Sequence, residues 1–287
     1  MGHFPRVGCL HETWSSRFLQ AVLGIRKRRG ARIALVPNQW DGSVQQYYHF
    51  LLGYLAPILL WLDKSGSKQI TIRDCGPMNR WVERILHRED VNVMPVGLFL
   101  HIFAGKLQPY VVLRGMDFPE EFSSKRLTRF KDLVLERLEI DAPEPTLLSV
   151  IDRATTDTFY FTAESEIDLA GAARRSTPNL HAWVESQGAG AHLHYFDPTH
   201  LVVDDQVLRF VQTRVLIGQH GAGLTNMVFM RPGGTVVEIQ PPLPERAVST
   251  FQDLARACGH EYIRVPQANV HSEINFLALD NVIQNLM

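Results

Sequence analysis

The chain has 287 residues, of which 45% are hydrophobic, and its formal net charge at pH 7 is -1. This length predicts one large domain or two of ordinary size, and the apolar content is sufficient for a sizeable core. A net charge near zero gives no global field that would favour nucleic acid or an anionic membrane as partner, and three cysteines are too few and too scattered for a disulfide framework or a zinc site.

Strand and helix patterns alternate through the first half of the chain. Apolar runs predict strands at 31–36, 68–73, 91–96 and 108–113, and helical spacing predicts helices from Gln45 onward, at 78–86 and at 119–138. Alternation with short gaps favours a parallel sheet with helices on both faces. Residues 140–145 contain two prolines and two acidic residues, which suits an extended linker between domains.

The pattern then starts again. Strands are predicted at 146–151, 192–196, 215–217, 235–239 and 261–265, and helices at 163–174, 204–213, 224–230, 249–258 and 272–287. We therefore expect one domain at 1–140 and a second at 141–287, both of the α/β class.

The segment 215–240 has the order strand, glycine-rich loop, helix, strand. Its first apolar run ends at Gly218, as a buried parallel strand would. Gly218, Gly221 and Gly223 allow the backbone to turn sharply and to approach a ligand closely. A helix that begins at such a loop presents free N–H groups and a positive dipole end, which together form an anion site. His220 lies on the loop and can add a donor or a positive charge.

The string His-Gly-Ala-Gly-Leu-Thr-Asn at 220–226, followed by Phe229, Pro232-Gly233 and Val-Val-Glu-Ile-Gln-Pro at 236–241, closely resembles the C-terminal signature of glycosyltransferase family 61. Gln-Tyr-Tyr-His at 46–49, followed by an apolar helix, is similar to the Asn-Tyr-Tyr-His motif of the family, with glutamine in place of asparagine. The resemblance implies a GT-B-like fold, with two facing Rossmann-like domains, parallel sheets and a deep cleft between them.

The resemblance also implies an inverting, metal-independent transfer of a hexosyl or pentosyl group from a nucleotide sugar. The N-terminal domain would take the acceptor and the C-terminal domain the nucleotide sugar, and the terminal helix can pack back on the N-terminal domain. Bacterial members look like cell-surface polysaccharide enzymes of capsule or lipopolysaccharide synthesis, so we expect a glycan or lipid-linked glycan acceptor.

Donor-binding residues follow from the positions that match the family. They are Arg153, Gln206, Gly221, Ala222, Gly223, Leu224, Thr225, Asn226 and Glu238. Arg153 follows a predicted strand and could grip a diphosphate, although Asp152 replaces the serine of the family and no second arginine follows closely. Glu238 could accept hydrogen bonds from a ribose or sugar hydroxyl, or could be the structural partner of a buried arginine.

The catalytic candidates are His49, Asp41 and His220. An inverting transfer needs a general base on the acceptor side, for which His49 is the first candidate and Asp41 the second. Main-chain N–H groups of residues 221–224, His220 and Arg153 would stabilise the negative charge of the leaving phosphates.

We expect no metal and no cofactor beyond the nucleotide sugar. His192, His194 and His200 form a small cluster, and the first two could share a strand face, but no third ligand is predictable. The sequence also contains no Asp-x-Asp motif, which metal-dependent sugar transferases use.

Three other classes of protein remain open. A non-catalytic subunit that binds a nucleotide sugar is one of them. An α/β hydrolase is less favoured, because the sequence contains no Gly-x-Ser-x-Gly nucleophile motif. A dinucleotide oxidoreductase is third, because the glycine spacing departs from Gly-x-Gly-x-x-Gly.

The first residues lack the layout of a secretory signal, and the longest apolar run, 51–62, is too short to span a bilayer. We therefore expect a cytoplasmic enzyme, without nucleic-acid partners. The basic run at 26–29 suits a solvated turn, or a peripheral contact with the inner face of the membrane or with a polysaccharide-assembly complex.

Overall fold

In a computed structural model of the chain, the structure describes residues 33–35, 44, 46–66, 70–86, 91–94, 110–152, 177–188 and 193–286. By internal contacts the chain divides into two compact units. The first unit comprises residues 1–121 and 132–138, and the second comprises 122–131 and 139–287. The predicted domain boundary between residues 140 and 141, and the roles of the two halves, stay predictions.

The first unit contains a four-stranded parallel sheet in the order β3-β2-β1-β4. Its strands are β1 (Ile33–Leu35), β2 (Ile70–Arg73), β3 (Val91–Met94) and β4 (Tyr110–Val112). Its helices are α1 (Tyr47–Phe50), a π-helix (Leu51–Leu55), α2 (Ala56–Ser65), a 3₁₀ turn (Gly76–Met78), α3 (Asn79–Ile85) and a 3₁₀ turn (Pro119–Glu121). The next helix, α4 (Ser124–Leu138), contains the division between the units.

Helices α1, π and α2 run without a break and are buried over most of their length. All five residues of the π-helix are buried, as are Ala56 to Leu59 at the start of α2. The helix ends at Gly66, whose φ of 62° is left-handed, so that its N–H bonds Leu62 O in the manner of a helix C-cap. The predicted apolar helix after Gln45 is therefore confirmed, with a π-helical turn that its sequence pattern does not indicate.

The second unit contains a five-stranded parallel sheet in the order β6-β5-β7-β8-β9. Its strands are β5 (Leu147–Ile151), β6 (Leu193–Phe196), β7 (Thr213–Gln219), β8 (Thr235–Gln240) and β9 (Glu261–Pro266). Its helices are α5 (Leu180–Ser186), a 3₁₀ turn (Pro198–His200), α6 (Val203–Val211), a 3₁₀ helix (Ala222–Phe229), α7 (Glu245–Val248), α8 (Thr250–Cys258) and α9 (Phe276–Leu286).

Apolar side chains from the central strands form the core of this unit. Val150, Ile217 and Val237 are fully buried in one cluster, to which α9 contributes Leu279 and Ile283. The continuous apolar runs of β7 and β8 agree with this burial, because a parallel strand covered on both faces needs no polar alternation. The predicted packing of the terminal helix against the N-terminal domain stays a prediction.

The α/β class with parallel strands is confirmed, whereas the facing arrangement of two Rossmann-like domains stays a prediction. The predicted helix at 224–230 is a 3₁₀ helix at Ala222–Phe229, and α9 begins at Phe276 rather than at residue 272. Sequence analysis missed α5 and α7. The helix predicted at 163–174 lies outside the described residues.

Candidate functional site

The strand order of the second unit reverses between β5 and β7. Strand β6 lies on one side of β5 and β7 on the other, and Ile151 pairs with Gly218 at the carboxyl ends of the two strands. In open parallel sheets, ligands bind outside the carboxyl ends of the strands at such a reversal. Here that edge carries Asp152 after β5 and the glycine loop, residues 218–223, after β7.

The glycine loop leads directly into the 3₁₀ helix Ala222–Phe229. Leu224 N–H donates to Gly221 O at 2.9 Å, and His220 N–H donates to Ile239 O at 2.9 Å, so both of these amides are already used. To the described part of the chain, the N–H groups of Gly221, Ala222 and Gly223 donate no hydrogen bond. Ala222 and Gly223 are half-buried, which leaves the turn accessible at this point. Of the predicted anion donors, the Leu224 N–H is bonded within the turn, whereas the N–H groups of residues 221–223 are not bonded to the described residues. Anion binding by the loop stays a prediction.

Packing within the protein favours glycine at two positions of the loop, which the sequence analysis did not predict. A Cβ on Gly218 would lie 2.5 Å from Ile151 Cγ1, and one on Gly223 would lie 3.0 Å from Ile151 Cδ1. Both positions therefore make room for Ile151, which is buried beneath the loop. Close packing against β5 explains these glycines without any ligand.

Gln206 and Asn226 support the loop from within the protein. Gln206 Nε2 donates to Asn226 Oδ1 at 2.9 Å, and Asn226 Nδ2 donates to Gly223 O at 2.8 Å. Both side chains are buried, as are Leu224 and Thr225. The Thr225 hydroxyl has no hydrogen-bond partner among the residues that the structure describes. These four predicted donor-binding residues thus lie behind the loop rather than on its exposed face.

His220 and Glu238 form a buried pair at the carboxyl edge of the same sheet. His220 Nδ1 lies 2.5 Å from Glu238 Oε1, and the His220 ring packs edge-on against Phe251. Glu238 is 0% exposed and also accepts hydrogen bonds from Tyr262 Oη at 2.8 Å and Gln240 Nε2 at 3.1 Å. Burial, and then the charge of Glu238, raise the pKa of Tyr262, which keeps this hydroxyl protonated as a donor.

This arrangement assigns Glu238 to the histidine. Among the described residues, Glu238 has no arginine partner, and its side chain is fully buried. Its predicted contact with a ribose or sugar hydroxyl stays a prediction. Because a carboxylate only accepts hydrogen bonds, this contact places a proton on His220 Nδ1.

The first unit holds a second histidine–carboxylate pair. His49 Nδ1, on α1, lies 2.9 Å from Asp117 Oδ2, and the two side chains are 18% and 6% exposed. Asp117 follows β4 and His49 follows β1, and the strand order reverses between these neighbouring strands. The pair therefore lies after the strands that form the reversal point of its own sheet. Sequence analysis missed Asp117; a carboxylate soon after a strand was the available signal.

Asp152 accepts a short hydrogen bond from Tyr195 Oη, and the Tyr195 ring contacts His181. Burial, and then the hydrogen bond to Asp152, raise the pKa of Tyr195, so the hydroxyl remains the donor of this pair. Arg153 and Asp41, predicted for the donor and base roles, lie outside the described residues.

Two of the three histidines of the predicted cluster, His194 and His200, lie among the described residues. His194 Nδ1 lies 3.4 Å from Arg209 Nη1, His200 is exposed in the 3₁₀ turn Pro198–His200, and His192 lies outside the described residues. Among the described residues, no group of three or more His, Cys, Asp or Glu side chains could hold a metal ion. Independence of a metal stays a prediction.

The described helices include none that is long and apolar enough to span a bilayer. The predicted cytoplasmic location and the membrane contact stay predictions.

The chain matches the model of a known protein family. The model of the family described as Glycosyltransferase 61 matches residues 47–237, well over half of the chain. The matched region begins at the helix that carries His49, includes Asp117 and the glycine loop, and ends one residue before Glu238. No curated protein matches the chain.

Proposed function

Since the chain belongs to glycosyltransferase family 61, it is a glycosyltransferase, and we propose that it moves a sugar from a nucleotide-sugar donor to a glycan or lipid-linked glycan acceptor. The proposed transfer inverts the anomeric configuration. The proposed transfer uses no bound metal. It also uses no cofactor, since the nucleotide sugar is a substrate. Membership in the family favours a glycosyltransferase over the three alternative classes, which were a hydrolase, an oxidoreductase and a non-catalytic subunit.

One observation carries the proposal: His220 lies on the glycine loop with its Nδ1 bound to the buried Glu238. A histidine held in this way directs a single nitrogen, Nε2, away from its carboxylate partner. In the proposed complex the ring donates from both nitrogens, from Nδ1 to Glu238 and from Nε2 to the diphosphate. Nε2–H is then a charge-assisted donor to the leaving phosphate.

The loop amides supply further donors. The N–H groups of Gly221, Ala222 and Gly223 make no hydrogen bond to the described residues, and two of the three residues are half-buried. Successive amides at the start of a helical segment favour an anion. Gln206 and Asn226 would act through the loop carbonyl of Gly223 rather than by touching the nucleotide.

In the proposed reaction, an acceptor hydroxyl attacks the anomeric carbon of the donor from the face opposite the phosphate. The new C–O bond forms as the bond to the phosphate oxygen breaks, and the phosphate keeps the bonding electron pair. The acceptor proton passes to a general base, for which His49 is our choice. His220 and the loop amides stabilise the negative charge that develops on the phosphate.

The biological setting is part of the proposal. We place the enzyme in the cytoplasm, at the inner face of the membrane or bound to a polysaccharide-assembly complex, in capsule or lipopolysaccharide synthesis. Residues 1–140 would take the acceptor and residues 141–287 the donor.

A two-stage experiment tests the proposal. The full chain is first screened by thermal shift against a panel of nucleotide sugars and nucleoside diphosphates, because a ligand that binds only the native state raises the melting temperature. Sugar transfer from the binding donor is then followed by mass spectrometry, with and without EDTA, and the anomeric product is assigned by NMR. We expect transfer with inversion that EDTA does not reduce.

The matched variants are His220→Asn and, as control, His271→Asn, whose histidine is exposed in the same unit. Loss of one preorganised charge-stabilising donor typically lowers kcat by roughly 10²–10³-fold. We expect that loss for His220→Asn and none for His271→Asn. Full activity of His220→Asn, a retained anomeric configuration or a requirement for a divalent cation would each refute the corresponding part of the proposal.

A further inference from the structure

Asp117 is buried against the helix that carries the proposed base, in a space that two glycines leave open. A Cβ on Gly53 would lie 2.7 Å from Asp117 Cγ, and a Cβ on Gly115 would lie 2.7 Å from Asp117 Oδ1. Gly53 belongs to the π-helix Leu51–Leu55, a helical form that often occurs at functional sites. The carboxylate therefore occupies a place that no other residue type at these two positions would permit.

Asp117 is also fixed through its main chain. Tyr48 Oη donates to Asp117 O at 3.0 Å, and the preceding residue, Met116, donates its N–H to Leu52 O at 2.9 Å. Burial, and then the charges of Asp117 and Glu120, raise the pKa of Tyr48, so the hydroxyl remains a donor. Main chain and side chain together hold Asp117 in one position relative to the helix.

From this geometry we infer that Asp117 is the positioning residue of the proposed base, His49; the inference rests on the proposed glycosyl transfer. Its carboxylate accepts from His49 Nδ1 at 2.9 Å, so the neutral ring carries its proton on Nδ1 and its lone pair on Nε2. His49 Nε2 then takes the proton of the acceptor hydroxyl as its oxygen bonds to the anomeric carbon. Asp117 itself keeps its charge and stabilises the imidazolium that forms.

The exposure of the two partners agrees with these separate tasks. Asp117 is 6% exposed and meets His49 from the protein side, whereas the His49 side chain is 18% exposed and can be reached by a substrate hydroxyl. A carboxylate in this position determines which nitrogen of the ring faces outward, without contacting the substrate.

Asp117→Asn tests the inference, with Asp63→Asn as a matched control on the exposed surface of α2. Asparagine retains the size of the side chain but can donate to His49 Nδ1 and so select the other tautomer. Positioned general bases contribute roughly 10²–10⁴-fold, so we expect kcat of Asp117→Asn to fall by at least about 100-fold. The KM values for donor and acceptor, and the melting temperature, should stay close to those of the parent, which a purely structural role would not predict.

Gly53→Ala provides a second perturbation that removes no ionisable group. Its Cβ would displace the Asp117 carboxylate, so kcat should fall as in Asp117→Asn while nucleotide-sugar binding is retained. A long-range ¹H–¹⁵N spectrum, with the His49 signal assigned by comparison with His49→Gln, should show the Nδ1–H tautomer in the parent and its loss in Asp117→Asn.

The outcomes separate the two proposals. If the parent transfers sugar and Asp117→Asn retains kcat within about threefold, the positioning role is overturned and the proposed function stands. If the parent transfers no sugar from any donor, the proposed function fails. In that case a spectrum without the Nδ1–H tautomer also overturns the control of the ring by Asp117, and a spectrum with that tautomer supports it.

Discussion

Glu238→Gln offers a direct test of how the second unit prepares His220 for a phosphate. The substitution retains the shape of the side chain but removes its charge, and Glu238 currently accepts from His220 Nδ1, Gln240 Nε2 and Tyr262 Oη. The single oxygen of glutamine can keep the first two donors, and its NH₂ group then meets the tyrosine hydroxyl, which can rotate to accept. We therefore expect the fold to survive with only a small change in melting temperature.

The expected loss lies in catalysis. A hydrogen bond to a charged group contributes about 1.5–3 kcal/mol. Loss of this amount from the stabilisation of the leaving group would lower kcat by roughly 10- to 150-fold, since about 1.4 kcal/mol corresponds to a factor of ten. The assay is sugar transfer at saturating donor, together with the affinity for the nucleoside diphosphate. Glu261→Gln is the matched control, because Glu261 is exposed at the start of the neighbouring strand β9.

The reasoning would be refuted by a Glu238→Gln enzyme whose kcat stays within about threefold of the parent while its fold is intact. The charge behind His220 would then have no part in the reaction. A fall in kcat that Glu261→Gln reproduces would contradict it equally, because the loss would then reflect the removal of any acidic charge from this part of the sheet.

Three further outcomes follow from contacts in the second unit. Burial lowers the pKa of His260, whose Nε2 lies 2.9 Å from Met227 O. Because the folded-state pKa lies below the unfolded value of 6.5, the contribution of the neutral ring to stability is complete above that value and decreases as the pH falls below it. Between about pH 7 and pH 5, the melting temperature of His260→Asn should therefore fall less than that of the parent. Gly218→Ala should cost about 1–3 kcal/mol in denaturant unfolding through overpacking against Ile151. The same substitution should cost less in an Ile151→Ala background, because truncation of Ile151 removes the overlap. Asn226→Ala leaves the buried amide of Gln206 without its acceptor and should cost about 1–3 kcal/mol while weakening nucleoside-diphosphate binding; equal affinity in the two proteins would show that the loop does not depend on this support.

Much of the fold is readable from local pattern. The apolar runs of β7 and β8 and the helical spacing of α8 and α4 predict elements whose ends lie within a few residues of those observed. The π-helix and the 3₁₀ helix at Ala222–Phe229 were not predicted as such, because their side-chain spacing over five to eight residues is nearly that of an α-helix and only the hydrogen bonds differ.

The candidate site was predicted less completely, and the reason is sequence separation. Asp117 lies 68 residues from His49, and no local pattern relates the two; only the pairing of β1 with β4 brings their chain segments to one edge. Glu238 was identified by motif, but its predicted contact with a sugar hydroxyl could not take account of Tyr262 on the next strand, whose donation shows that the carboxylate faces inward. The glycines of the loop were explained by ligand approach, whereas Ile151, far away in sequence, leaves no room for a side chain at Gly218 and little at Gly223.

The two histidine–carboxylate pairs have the same arrangement of atoms but differ in how far they are exposed. In each, a carboxylate lies within hydrogen-bond distance of Nδ1, and in the proposed reaction Nε2 is the nitrogen that meets a substrate. His49 is 18% exposed, and among the described residues it is the one hydrogen-bond donor to the Asp117 carboxylate. His220 is 8% exposed, and the Glu238 carboxylate accepts from three donors. A base must accept a proton and release it again to solvent, which requires access, while a group that holds a phosphate benefits from a rigid, dry environment in which its charge is weakly screened. The more exposed pair is therefore suited to proton transfer and the more buried pair to leaving-group stabilisation, and an exchange of these roles would require Glu238→Gln to impair the attack of the acceptor and Asp117→Asn to weaken nucleotide binding.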